Sequence, residues 1–179
     1  MNTIRKFSSA AAFAALLAGC SMQLDFGNGS VFRYISIHDG NIAVHAHSAP
    51  DAIVTPAGDL SIDGKAMTLT PVQRDLLKQY YAQVLAVRDD GIATGKAGAA
   101  MAGHAIGSVA AGLAHGNPDS IGSAIDARAK QVEAKAMAVC NGVAALQTKQ
   151  NAIASALPEF KPYALIDGKE VSDCQAHRG

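Results

Sequence analysis

Tryptophan is absent from these 179 residues, and Phe, Trp and Tyr together make up 5 % of them. A carbohydrate-stacking surface, which needs aromatic rings, is therefore poorly supported. Basic excess is missing too, since 15 Lys+Arg stand against 15 Asp+Glu. A polyanion binder would carry a basic footprint, so no nucleic-acid partner is expected. Local catalytic signatures are lacking as well. There is no Gly-x-Ser-x-Gly, no His-Glu-x-x-His and no phosphate loop, and Gly95-Lys96 lacks the preceding glycine spacing. Asp59 and Asp63 fit turn chemistry, and Asp89-Asp90 fits a solvated helix end. No enzymatic activity and no cofactor are expected from these absences.

The one sustained apolar stretch near the start, Ser8 to Ala18, is too short to span a bilayer. Preceded by Arg5 and Lys6, it suits the h-region of a signal peptide. Leu17-Ala18-Gly19-Cys20 follows and resembles the lipobox of bacterial lipoproteins. There, small residues admit the signal peptidase and the cysteine thiol takes diacylglycerol. Residues 1–19 are thus expected to be a lipoprotein signal peptide, with Cys20 lipidated and residues 20–30 a tether. Each buried methylene of acyl chains such as palmitate adds roughly 0.8 kcal/mol, so several chains make a firm anchor. Ser21 stands where a non-aspartate favours the outer membrane of a Gram-negative host, facing the periplasm. Removal of residues 1–19 leaves 160 residues with net charge −2, enough for one domain with a core.

Cysteine is scarce, and its use follows from the anchor. With Cys20 given to lipid, Cys140 and Cys174 are the remaining pair in an oxidising compartment, and a disulfide between them is expected. The rival, free thiols or a thiol site, lacks a Cys-x-x-Cys motif.

The mature chain reads as α+β. Residues 31–70 suggest an antiparallel sheet of about four strands. Val31 to Ile37 and Ile42 to Ser48 flank Asp39-Gly40, a two-residue hairpin signal. Ile37 then lies opposite Ile42, and the aliphatic face with Ile35 and Val44 is the core side. Residues 52–54 and 60–69 add strands, with turns at Pro56-Ala57-Gly58-Asp59 and Asp63-Gly64. Residues 71–179 suggest a long antiparallel helical hairpin and a disulfide-linked tail. Thr70-Pro71-Val72-Gln73 opens the first helix with a capping box. Asp89-Asp90-Gly91 should interrupt it. Residues 91–116 are nearly all small, with Gly-x-x-x-Gly spacings at 91/95, 103/107 and 112/116. Lys96, His104 and the lack of large aliphatics argue against a membrane span. Close contact with a neighbouring helix and a mobile connection both fit. Asn117-Pro118-Asp119 restarts the helix. Ala129, Val132, Ala136, Val139, Val143 and Leu146 form a seam of alternating 3 and 4 spacing, suited to the first helix or to a partner's. Pro158 ends it, and Tyr163 to Val171 should form a small hairpin around Asp167-Gly168.

Metal is not expected, but His45-x-His47 is the best constellation. Strand alternation sets both rings on one face, within reach of a shared divalent ion. His38 shares that face but lies about 20 Å along the strand at roughly 3.3 Å per residue. No carboxylate is placed to complete the set. Histidines facing solvent or a partner are the simpler reading, and such a face gains positive charge in acid.

The stretch Asp51-Ala52-Ile53-Val54-Thr55-Pro56-Ala57-Gly58-Asp59-Leu60-Ser61-Ile62-Asp63-Gly64-Lys65 resembles the YggN-like family of exported bacterial proteins of unknown function. So does Leu69 to Tyr80. The likeness is best over residues 38–90 and looser to about 165. It implies export and an α+β fold, and it supplies no catalytic residues. The expected function is that of an envelope lipoprotein acting by protein contact or as a structural accessory, with an envelope protein as partner. An immunity lipoprotein against a delivered toxin, a binder of a small molecule, lipid or metal, and an uncharacterised hydrolase are the alternatives.

Overall fold

The computed structural model describes residues 33–115 and 119–176, apart from the side chains of 106 and 108–125. The expected signal peptide, Cys20 and the tether lie outside the described residues. The architecture is α+β. Five antiparallel strands in sequential order are β1 (Ile35–His38), β2 (Asn41–Val44), β3 (Ala52–Val54), β4 (Leu60–Ile62) and β5 (Lys65–Ala66). Two long helices follow, α1 (Pro71–His115) and α2 (Asp119–Ala156), then a 3₁₀ segment (Pro158–Tyr163) and α3 (Gly168–Ala176).

Turn chemistry sets the sheet register. Asp39 and Gly40 both take positive φ, 48° and 74°, as a two-residue hairpin of matching twist requires. Ile37 pairs with Ile42 and Ile35 with Val44, as the sequence pattern predicts. Ile35, Ile42, Val44, Ala52, Val54 and Leu60 are buried, so the aliphatic face is the core face. The strand expected over 60–69 bends back at Asp63-Gly64, again with two positive φ values, and yields both β4 and β5.

Helix α1 starts as a capping box. The Thr70 N–H donates to Gln73 Oε1 at 2.8 Å, and the Gln73 N–H donates to Thr70 Oγ1 at 3.3 Å. The turn before β4 rests on this first helical turn. Its Gly58 N–H donates to the Thr55 carbonyl, and Arg74 pairs with Asp59. A Cβ on Gly58 would sit 2.3 Å from the Arg74 carbonyl oxygen, so only glycine permits this approach. Tyr81 Oη reaches the Gly40 carbonyl at 2.6 Å and joins α1 to the first hairpin.

Three expectations for the helical region are corrected. First, α1 runs unbroken through Asp89-Asp90-Gly91. The weak helix preference of these residues costs about 1 kcal/mol each at most, and burial of Val84 and Val87 on either side of the turn before them overrides it. Second, no C-terminal hairpin forms; residues 168–176 are helical. Asp167 Oδ1 accepts the Glu170 N–H at 2.8 Å as an N-cap, and Lys169 pairs with Asp173 one turn on. The main chain of Ile166 takes Gln150 as its partner instead of a strand: its N–H donates to Gln150 Oε1 at 3.2 Å, and its carbonyl accepts from Gln150 Nε2. Third, the α2 seam is buried at its far end alone. Val143 and Leu146 are buried, Ala129, Val132 and Val139 are half-buried, and Ala136 is exposed. The buried stripe instead continues through Gln150, Ile153 and Leu157.

The two helices are antiparallel. Cross-helix hydrogen bonds join Gln73 to the Ala156 carbonyl, Gln79 to Lys149, and Gln83 to the Gly142 carbonyl. The close approach falls at Gly142, where a Cβ would lie 2.8 Å from Val87 Cγ2. At Gly91, Gly98, Gly103 and Gly107 a Cβ would meet nothing within 4 Å. Among the described residues no helix is long and apolar enough to cross a membrane.

Candidate functional site

The polar face of the sheet carries a relay of three side chains. Ser36 sits on β1, on the face opposite Ile35 and Ile37, and pairs with the small Ala43. His45 follows β2, and its N–H donates to the Tyr34 carbonyl at 2.8 Å, so the β1–β2 ladder extends one pair beyond the strands. Continuing the β2–β3 register one residue past Val44↔Ala52 sets Asp51 opposite His45. The side chains follow that order across the sheet. Ser36 Oγ lies 2.8 Å from His45 Nε2, and His45 Nδ1 lies 2.9 Å from Asp51 Oδ1.

Donor roles follow from elementary chemistry. An ionised carboxylate can only accept, so Nδ1 carries the proton toward Asp51. Nε2 then presents its lone pair, and the Ser36 hydroxyl donates to it. The His45 and Asp51 side chains are 41 % and 57 % exposed, so the relay is open to solvent. The main chain around Asp51 is held from two further directions. Its carbonyl accepts the Asp63 N–H at 3.3 Å, and the Pro50 carbonyl accepts from Tyr163 Oη at 2.6 Å.

The two candidate metal ligands are taken by different partners. His45 is engaged by Ser36 and Asp51, while His47 stacks edge-on against Tyr34 with ring centroids 5.7 Å apart. Among the described residues no group of three or more His, Cys, Asp or Glu is placed to hold a metal ion. His38, at the far end of β1, is no part of the relay. Ser36 and Asp51 are the residues sequence reasoning misses. No local motif joins them, although Asp51 becomes visible opposite His45 once the β2–β3 register is known.

Cys140 and Cys174 are disulfide-bonded, with Cα atoms 5.6 Å apart, and the bond fastens α3 to α2. Beyond Gly91 on α1 and before Cys140 on α2, the helical pair continues as an arm. Among the described residues of 92–107 and 126–138 none is buried, and Ile92 is 42 % exposed. From residue 92 to the end of α1 at His115 the helix runs about 36 Å at 1.5 Å per residue.

A family model described as a protein of unknown function, DUF2884, matches residues 30–122, a little over half of the chain. The matched stretch contains the sheet, the relay and α1. No curated protein and no solved structure matches the chain.

Proposed function

We propose that this chain, which belongs to the DUF2884 family of proteins of unknown function, is a lipid-anchored envelope protein that works by contact with another protein. The anchor is diacylglycerol on Cys20, and the membrane is the outer one, facing the periplasm. The reading of Arg5 to Cys20 as signal and lipobox supports this part. The contact surface is the helical arm, and one observation carries that assignment: no described residue of 92–107 or 126–138 is buried. Two helices that extend beyond their own core with no fully buried side chain gain little from packing there, and intrinsic propensity sustains them weakly in this glycine-rich composition. A partner helix or groove laid on this small-residue surface supplies the missing burial. The negative net charge of the mature chain suits a protein partner over a polyanion.

The test has two parts. Replacing Cys20 by Ala should move the protein from the membrane fraction to the soluble one; unchanged membrane retention rejects the anchor. A photo-crosslinking residue at Ile92 or Gly103 should capture an envelope protein in the host, whereas one at Val72, 69 % exposed at the start of α1, should not. Absence of any adduct from the arm rejects the contact role.

A further inference from the structure

The geometry points to Ser36 as an activated nucleophile, with His45 as its general base and Asp51 as the positioning residue, in an acyl-transfer site on the polar face of the sheet. The atom order carries the inference. Ser36 Oγ, His45 Nε2, His45 Nδ1 and Asp51 Oδ1 are linked in that sequence at 2.8 and 2.9 Å, so the base faces the nucleophile and the carboxylate fixes its tautomer. A chance serine–histidine contact has no need of a third group holding the opposite ring nitrogen. Here that third group comes from the neighbouring strand connection, and its main chain is held by Asp63 and, through Pro50, by Tyr163. The expectation of no enzymatic activity rested on local motifs, and a relay assembled across three strands leaves none.

The surroundings indicate the substrate class. β1 is an edge strand among the described residues. Because Tyr34 and His45 form a hydrogen-bonded pair, the Ile35 and Ile37 N–H groups alternate outward, away from β2. The Ile37 N–H, next in the chain to Ser36, is the donor assigned to the oxyanion. Ala43 and Ile53 pair beside Ser36 on the same face and give a short apolar strip. An open face with such a strip suits a small ester or a short acyl chain, not a large buried ligand.

Atoms balance without a co-reactant other than water. Ser36 Oγ adds to the ester carbonyl carbon as its proton passes to His45 Nε2. The oxyanion collapses, the bond to the alcohol oxygen breaks, and Nε2–H protonates the departing alkoxide. Water, deprotonated by the same Nε2, then attacks the acyl carbon and displaces Ser36 Oγ. The carboxylic acid leaves and the hydroxyl is restored.

The test uses the mature chain with a fluorophosphonate probe and with p-nitrophenyl acetate. Peptide mass spectrometry should find one adduct, on Ser36, and the adduct should be lost in Ser36→Ala. His45→Gln should slow labelling and ester turnover by about 100-fold or more. Asp51→Asn should slow turnover less, because that carboxylate is half open to water, and should lower kcat with KM unchanged, while Asp51→Glu keeps part of the rate. A purely structural role for Asp51 would lower the melting temperature along with the rate. Circular dichroism and melting of each variant separate lost chemistry from lost fold. An unlabelled Ser36 in folded protein, or labelling as fast in folded His45→Gln as in the natural chain, overturns the proposal.

Discussion

At the residue scale, single atoms decide what the chain tolerates. Tyr80 is fully buried against Phe160, and its hydroxyl has no hydrogen-bond partner among the described residues. Burial alone pushes its phenol above the ordinary 10.0. A tyrosine raised in the folded state holds its stabilising neutral form below about pH 10, and stability falls as pH rises beyond that. Tyr80→Phe should therefore leave stability at pH 7 unchanged or raised by about 1 kcal/mol, and should reduce the loss of melting temperature above pH 10. Melting curves from pH 7 to 11 read both effects. Glycines make a second comparison. Gly58→Ala meets the Arg74 carbonyl and a φ of 77°, and Gly142→Ala meets Val87. Each should cost about 2 kcal/mol or more in denaturant unfolding. Gly98→Ala and Gly103→Ala meet open space inside a helix and should stabilise by about 0.5–1 kcal/mol each.

At the element scale, the parts differ in how openly the sequence announces them. The two Asp-Gly hairpins and the Thr70–Gln73 capping box are legible, because a turn with two positive φ values and a helix start each demand particular residues within four positions. Helix α3 is less so. Asp167-Gly168 serves a hairpin and a helix cap equally well, and Gln150, distant in sequence, occupies the Ile166 main chain that a strand would need. The disulfide then fastens α3. Replacing Cys140 and Cys174 by Ser should lower stability by roughly 3.5–4 kcal/mol on the chain-entropy account, since the loop spans 34 residues. Hydrogen exchange should show α3 opening before the sheet does. Equal exchange protection of α3 with and without the bond would refute this.

At the scale of the whole molecule, the buried core and the arm occupy different stretches of the same two helices. The sheet, the first turns of α1 and the last turns of α2 share one cluster of buried side chains. The described residues of the arm contribute none to it. Excising residues 96–133 and closing the helices with a short loop should leave the melting temperature within a few degrees of the full chain, by circular dichroism. It should also abolish crosslinking to an envelope partner. A fall in melting temperature comparable to loss of the disulfide would mean that the arm stabilises the fold.

The sequence by itself determined the α+β class, the register of the first hairpin, its buried face, the start of α1 and the pairing of Cys140 with Cys174. These rest on short-range geometry or on elimination among few cysteines. Tertiary structure alone decided that Asp89-Asp90-Gly91 stays helical, that the tail becomes α3, and that a close approach falls at Gly142 and not at Gly91, Gly103 or Gly107. It also decided that Ser36, His45 and Asp51 meet. Those outcomes depend on which side chains, far apart in the chain, fill a common space. Local propensities differ by about 1 kcal/mol, less than the burial of one or two aliphatic side chains, so packing settles what they leave open.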